Sequence, residues 1–325
     1  MQIGSVNLGE QPLFLAPMED VTDSSFRHVC KYFGADMMYT EFVSSDGLIR
    51  DAKKSLKKLA IEDAERPIGI QLYGHLIDAM VEAARIAEAA RPDVIDLNFG
   101  CPMRKIATRG AGAGMLCNVP LMLEMTKAIV NAVKLPVTVK TRLGWDDDSK
   151  NIVDIAERLQ DTGIAAIAIH GRTRAQLYKG EADWTLIGAV KNNSRMHIPV
   201  IGNGDITSAE IAKEKFDRYG VDGIMIGRAT CGRPWIFAEI KHHLADGKQM
   251  PPLTIEQKVA LAKMHLHKSV EYKGIPTGIF EMRRHLSNYF KGLPDFKQTR
   301  MTLVTSLDMD ELEQTLESIV HRYRE

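Results

Sequence analysis

Eight short apolar runs, each ending in polar residues or glycine and separated by stretches with helical spacing, constrain this chain more than any other feature. They occupy residues 13–18, 37–43, 68–74, 94–100, 137–144, 166–172, 200–205 and 223–229. Continuous hydrophobicity with β-branched residues is what strands buried on both faces require. Segments 77–90 and 152–161 between them carry apolar residues at helical spacing. Strand and helix alternating in this way predict parallel βαβ units, and eight of them predict an α/β fold, a (β/α)8 TIM barrel. A doubly wound open sheet is the alternative, disfavoured because no G-x-G-x-x-G follows the first strand.

After Ala245 the alternation stops. Residues 247–252 look like a linker, and 255–272, 277–291, 296–307 and 309–323 read as helices without strand-like runs. Asp308 is placed to cap the last of these, with acidic residues in its first turn. The expected organisation is a catalytic barrel over 1–245 and a small helical bundle over 246–325. Two units suit 325 residues, since single cores rarely grow past ~250–300 residues.

Formal net charge is zero, so no global field marks a nucleic-acid binder, and any such partner must be held by local patches. The start lacks a basic segment followed by an apolar one, and no run is long enough to span a membrane, so a cytoplasmic protein is expected. Cys30, Cys101, Cys117 and Cys231 lie far apart with no zinc spacing, so neither a disulfide framework nor a metal site is expected.

A barrel's chemistry lies at the C-terminal ends of its strands. There the sequence places Pro17-Met18, Glu41, Gln71, Asn98 with Cys101, Lys140 with Arg142, His170 with Arg172, Asn203-Gly204-Asp205 and Gly227-Arg228. Polar side chains facing a barrel interior are costly unless paired, so their concentration at one rim predicts a shared site. Gly204 and Gly227, after the last two strands, let backbone N–H groups approach an anion, and Arg228 adds charge; this suits a cofactor phosphate. Lys140 has two readings, a cation beneath a flavin ring or a desolvated amine that forms a Schiff base. Gln71 favours the flavin, because an amide offers both a donor and an acceptor to a pyrimidine edge. Cys101, before Pro102 on the longest loop, suits a general acid better than a nucleophile, since no histidine is placed as its base; Arg104 and Lys105 are expected to lower its pKa. That whole loop, which holds Cys101-Pro102 and the small-residue run 110–114, is a candidate lid.

At these residues the sequence resembles the tRNA-dihydrouridine synthase family. The matching stretches are Leu15-Ala16-Pro17-Met18 with Val21-Thr22-Asp23, Asp96-Leu97-Asn98-Phe99-Gly100-Cys101-Pro102 and Val139-Lys140-Thr141-Arg142. Others are Ile169-His170-Gly171-Arg172-Thr173, Ile201-Gly202-Asn203-Gly204-Asp205, Met225-Ile226-Gly227-Arg228, and Met282-Arg283-Arg284-His285 followed by Tyr289-Phe290-Lys291-Gly292. The resemblance implies reduction of a uracil base in tRNA by FMN, itself reduced by NADPH, with Cys101 protonating C5. It implies flavin contacts from the backbone of Pro17, Met18 and Glu19 and from Gln71, Lys140 and His170. The phosphate and ribityl end would fall to Asn203, Gly204, Asp205, Gly227 and Arg228. Asn98 and Arg172 would lie at the substrate, and Arg283 and Arg284 would contact tRNA. Glu19-Asp20 departs from the small residues of many members. The basic residues between 283 and 300, with Tyr289 and Phe290 beside them, suggest a phosphate-tracking face. Three other readings stay open: an FMN barrel dehydrogenase acting on a free pyrimidine, a class I aldolase using Lys140, and a catalytically silent RNA-binding relative, for which Cys101 and Lys140 are poor evidence.

Overall fold

The fold is that of a computed structural model, which describes residues 1–324. A hairpin of β1 (Gln2–Ile3) and β2 (Val6–Asn7) precedes the barrel. The barrel strands are β3 (Leu13–Leu15), β4 (Met38–Tyr39) with β5 (Val43–Ser44), β6 (Ile68–Tyr73), β7 (Val94–Phe99), β8 (Val137–Arg142), β9 (Ala166–His170), β10 (Val200–Asn203) and β11 (Gly223–Ile226). All pair in parallel in the order β3-β11-β10-β9-β8-β7-β6-β4, with β5 also on β6. A parallel bridge between Phe14 and Met37 closes the ring, with Leu15 N–H donating to Met37 O at 3.0 Å. The expected (β/α)8 barrel is the observed one. The second strand differs from expectation, because it breaks at Thr40–Phe42 into β4 and β5.

Alternation along the strands sorts the residues into two layers. One set, with Leu15, Ile70, Leu97, Val139, Ile169 and Ile224, packs in a core with the surrounding helices. The other starts from Phe14, Tyr39, Val94, Ala166, Ala168, Ile201 and Met225, which cluster with Ile3 and Leu8 of the hairpin segment. The hairpin thus seals the amino end of the barrel with apolar side chains. Towards the carboxyl ends of five strands the inward positions turn polar, as Gln71, Asn98, Lys140, His170 and Asn203. Apolar below and polar above, the interior directs chemistry to one end.

Beyond the helix Ile236–Asp246, whose Ile236, Phe237 and Ile240 join the barrel core, the chain forms helices Ile255–Lys273, Thr277–Tyr289, Lys297–Thr305 and Met309–Tyr323. Asp308 caps the last, accepting from the Asp310 and Glu311 N–H groups at 2.8 and 3.3 Å. These helices share their own core, including Ala262, Leu266, Leu286, Leu303 and Leu316, joined by Val29 from the barrel's first helix Ser24–Tyr32. Ion pairs fasten that seam: Lys273 bridges Asp23 and Glu281. Beside it, buried Arg27 and Glu65 meet at 3.1 Å within the barrel.

Candidate active site at the barrel rim

Adjacent strands assemble the site by register. Gln71 lies beside Asp96, Asp96 beside Thr138, Asn98 beside Lys140, and Asn203 beside His170. Asp96 accepts from Gln71 Nε2 at 2.5 Å and from Thr138 Oγ1 at 2.6 Å. Gln71 Oε1 accepts from Asn98 Nδ2 at 2.7 Å. Asn98 Oδ1 in turn receives the Gly100 and Cys101 backbone N–H groups at 3.0 and 2.8 Å. A chain of hydrogen bonds thus runs from the barrel interior to Cys101 and fixes its loop. Burial lifts the Asp96 carboxyl to about 6 against the hydrogen bonds from Gln71 and Thr138.

Cys101 is 7% exposed. Burial pushes its thiol up, with the nearby Met103 backbone, Arg142 and Lys140 opposing, so it is held protonated at neutral pH. The expected lowering by Arg104 and Lys105 is overturned: desolvation outweighs the cations, and the opposing ones are Arg142 and Lys140. Within the candidate lid loop, the run 110–114 is packed rather than open. Gly112, Ala113 and Gly114 are buried, and Ala113 N–H donates to Cys101 O at 3.0 Å. A Cβ at Gly112 would come within 3.0 Å of Cys101 Cβ, so small residues there let the loop pack behind the thiol.

Lys140 makes no hydrogen bond or ion pair among the described residues, and burial, with Arg142 adding repulsion, brings its ammonium down to about 8. His170 is buried and pushed well below the usual histidine range, first by burial and then by Arg142, Lys140, Arg172 and Arg228. It is therefore neutral. Arg142, which the sequence placed at a strand end without a role, donates Nε to Gly100 O at 2.8 Å and Nη1 to Thr173 O at 3.0 Å. It holds the peptide ahead of Cys101 from the opposite side to Asn98. Tyr178, absent from the sequence reading because it sits in an aperiodic loop, is 52% exposed at the rim. Its ring lies 4.7 Å from the Arg228 guanidinium and 5.7 Å from that of Arg142.

The last two strand ends form an anion-receptive cradle. Among the described residues no group accepts the backbone N–H of Gly204, Asp205, Gly227 or Arg228. Gly204 has φ +128, and a Cβ there would meet Ala182 Cβ at 2.6 Å, so only glycine fits. Asn203 Nδ2 binds Met225 O at 2.8 Å and locks β10 to β11. Asp205 receives Arg228 Nη2 at 3.0 Å and the Ala182 N–H at 2.8 Å. Arg172, expected at the substrate mouth, is instead 2% exposed and grips Asp205 with two bonds of 2.9 and 2.6 Å. Its remaining donors go to Lys179 O and Gly180 O at 3.1 and 2.5 Å and towards His170 Nε2 at 3.5 Å. Its guanidinium is fully engaged in positioning the cradle.

At the first strand end, Met18 N–H donates to Thr22 Oγ1 at 2.9 Å, and Met18 O accepts from Val21 and Thr22. That leaves the Pro17 carbonyl and the Glu19 N–H without partners among the described residues. Glu19, Asp20 and Glu41 converge there, and Lys58 lies 2.5 Å from Glu19 and 4.0 Å from Glu41. In the helical region Arg283 is half-buried, stacked 4.4 Å over Phe280 and bonded to Thr305 O at 3.0 Å. Arg284 is exposed. Tyr289 and Phe290 are 3% and 1% exposed. They belong to the bundle core, so the expected aromatic face beside the basic residues does not exist. Helical period places them inward, which a count of nearby charges does not show.

A (β/α)8 barrel with a fixed, protonated cysteine and an anion cradle at one rim defines a class of enzymes that bind an anionic cofactor or substrate there. The dihydrouridine synthase (Dus) family model matches residues 14–324. A probable tRNA-dihydrouridine synthase of Rickettsia prowazekii is 38% identical over 93% of this chain and 92% of its own. The tRNA-dihydrouridine synthase B of Pseudomonas putida is 40% identical over 92% and 88%. The chain belongs to the dihydrouridine synthase family and is an oxidoreductase. That membership sets aside the imine reading of Lys140. Among solved structures, a 2-naphthoyl-CoA reductase complex superposes with TM-score 0.57 at 13% identity, over 76% of this chain and 52% of that one. Histamine dehydrogenase from Rhizobium sp. 4-9 gives 0.53 at 12%, over 82% and 50%. This chain therefore spans half the length of those two proteins, and the likeness is one of barrel fold. No helix among the described residues is long and apolar enough to cross a membrane.

Proposed function

We propose that this protein reduces uridine to 5,6-dihydrouridine in tRNA, with FMN as bound cofactor and NADPH as reductant. The observation that carries the reading is the set of unpartnered backbone donors at Gly204, Asp205, Gly227 and Arg228, on the same rim as a buried, protonated Cys101. Four amide donors and the Arg228 guanidinium suit a phosphate, while Asn203 and Asp205 hold the two strand ends in register for the ribityl end. The free valences of Gln71, the Pro17 carbonyl and the Glu19 N–H suit the edge of a flavin, and Met18 packs beside Gly227. Lys140 and neutral His170 complete its surroundings. Bound there and reduced by NADPH, FMN would supply a hydride for C6 of the uracil ring. Cys101 gives its proton to C5, which balances the reduction, and its thiol form is what burial enforces. Asn98 and Arg142 orient the Cys101 loop. The unpaired ammonium of Lys140 favours the negative charge that reduction brings into the barrel mouth.

Residues 246–325 are assigned as the tRNA-binding domain, with exposed Arg284 as a contact and Arg283 as its positioning neighbour. A tRNA substrate makes this a cytoplasmic protein. The test is direct: purified protein is expected to be yellow and to release FMN on denaturation. Protein that holds no flavin after reconstitution contradicts the proposal.

A further inference from the structure

Between β5 and β6 the chain makes two short helices, Ser45–Leu48 and Lys53–Lys57. Residues 50–58 hold five cations, Arg50, Lys53, Lys54, Lys57 and Lys58, against Asp51 alone, in a chain whose formal charge is zero. Lys58 is taken by Glu19 at 2.5 Å, whereas the other four make no ion pair among the described residues. All four are exposed, and no residue of the helix Lys53–Lys57 is buried. Lys53 and Lys57 lie one turn apart, as do Lys54 and Lys57. Like charges at these spacings repel, so the arrangement does nothing for the fold.

The backbone beneath these side chains is nevertheless fixed. Tyr272, on the helix Ile255–Lys273, donates its hydroxyl to Lys57 O at 3.2 Å. Arg27 donates to Ala60 O at 3.3 Å, Ala52 N–H to Gly47 O at 2.9 Å, and Leu59 is buried. Cations on an anchored backbone lose little entropy on binding, which favours a partner. The segment also touches both halves of the proposed machinery. Tyr272 joins it to the helical domain, and the Lys58–Glu19 pair joins it to the barrel rim. A run of compact ammonium groups matches the charge of a phosphate backbone and carries no base-reading geometry.

We propose that Arg50, Lys53, Lys54 and Lys57 form a phosphate-binding surface that leads the tRNA backbone from the helical domain to the barrel mouth; the inference rests on the tRNA reading above. The test compares two triple variants of the flavin-loaded protein by tRNA binding at several salt concentrations. The probe is bulk tRNA from cells deleted for this gene. Lys53→Gln/Lys54→Gln/Lys57→Gln is expected to weaken binding and to flatten the log–log salt slope by about 0.7–0.9 for each phosphate that the variant no longer neutralises. Lys127→Gln/Lys134→Gln/Lys248→Gln removes three exposed, unpaired lysines elsewhere and is expected to leave the slope unchanged. Equal slopes for wild type and the first variant, or equal flattening by both variants, overturn the proposal. Melting temperatures near wild type, expected because none of the six side chains is buried, exclude misfolding. Wild-type protein that neither binds nor modifies tRNA sinks the functional reading itself, a result separable from failure of the lysine surface alone.

Discussion

The buried titratable groups at the barrel rim and those at the seam between barrel and bundle differ in one respect: only the rim is organised to act. At the rim, Asp96, Cys101, Lys140 and His170 are all shifted by burial. At the seam between barrel and bundle, Phe26, His265, His285 and Tyr289 pack together, with both histidines driven down by burial and His285 to about 4. His265 Nδ1 meets Tyr289 OH at 2.9 Å, and the two imidazole rings are 4.6 Å apart. The seam is walled by aromatic rings, and His285 Nδ1 is buried there without a partner among the described residues. The rim carries Lys140 without a partner and four backbone donors without acceptors. A shifted pKa therefore marks burial. A site also needs groups with valences still open, gathered where a ligand can reach them.

The largest expected effect separates the two clusters at once. Cys101→Ala is expected to slow dihydrouridine formation about 10²–10⁴-fold, the usual worth of a positioned acid. NADPH oxidation by oxygen and the melting temperature stay near wild type, because neither needs a proton at C5. Dihydrouridine formed by this variant at the wild-type rate would remove the thiol from the chemistry.

A smaller effect belongs to the seam. His285 has a folded pKa of about 4, below the ordinary 6.5, so its contribution to stability is full above pH 6.5 and is lost as pH falls through 4. A tenfold change in proton affinity is worth ~1.4 kcal/mol, so the gap between folded and unfolded chain amounts to about 3 kcal/mol. His285→Leu is expected to flatten the fall in stability between pH 6.5 and 4, measured by urea unfolding, with flavin content unchanged. An unaltered pH profile would show that another group governs acid lability.

The rim was legible in the sequence because strand ends announce themselves. Each apolar run stops at a polar residue, and inward positions two apart carry Gln71, Asn98, Lys140 and Asn203. The fixed geometry around Cys101 was not legible. Arg142 reaches Gly100 across strands, and the small run 110–114 packs behind the thiol; both depend on register rather than on spacing along the chain. The hairpin β1–β2 has strands too short to show a period. His265 and His285 sit twenty positions apart on two helices, so nothing local links them. Arg172 looked like a rim cation, and only the fold shows that Asp205 holds it.

On this reading the rim reduces uracil in tRNA. Its most direct test is a single turnover: flavin-loaded protein reduced with NADPH, separated from excess reductant and mixed anaerobically with tRNA lacking dihydrouridine. Mass spectrometry of the nucleosides is expected to show dihydrouridine formed in step with flavin reoxidation, up to one equivalent for each bound flavin. Reduced, flavin-loaded protein that leaves the tRNA unmodified contradicts the account.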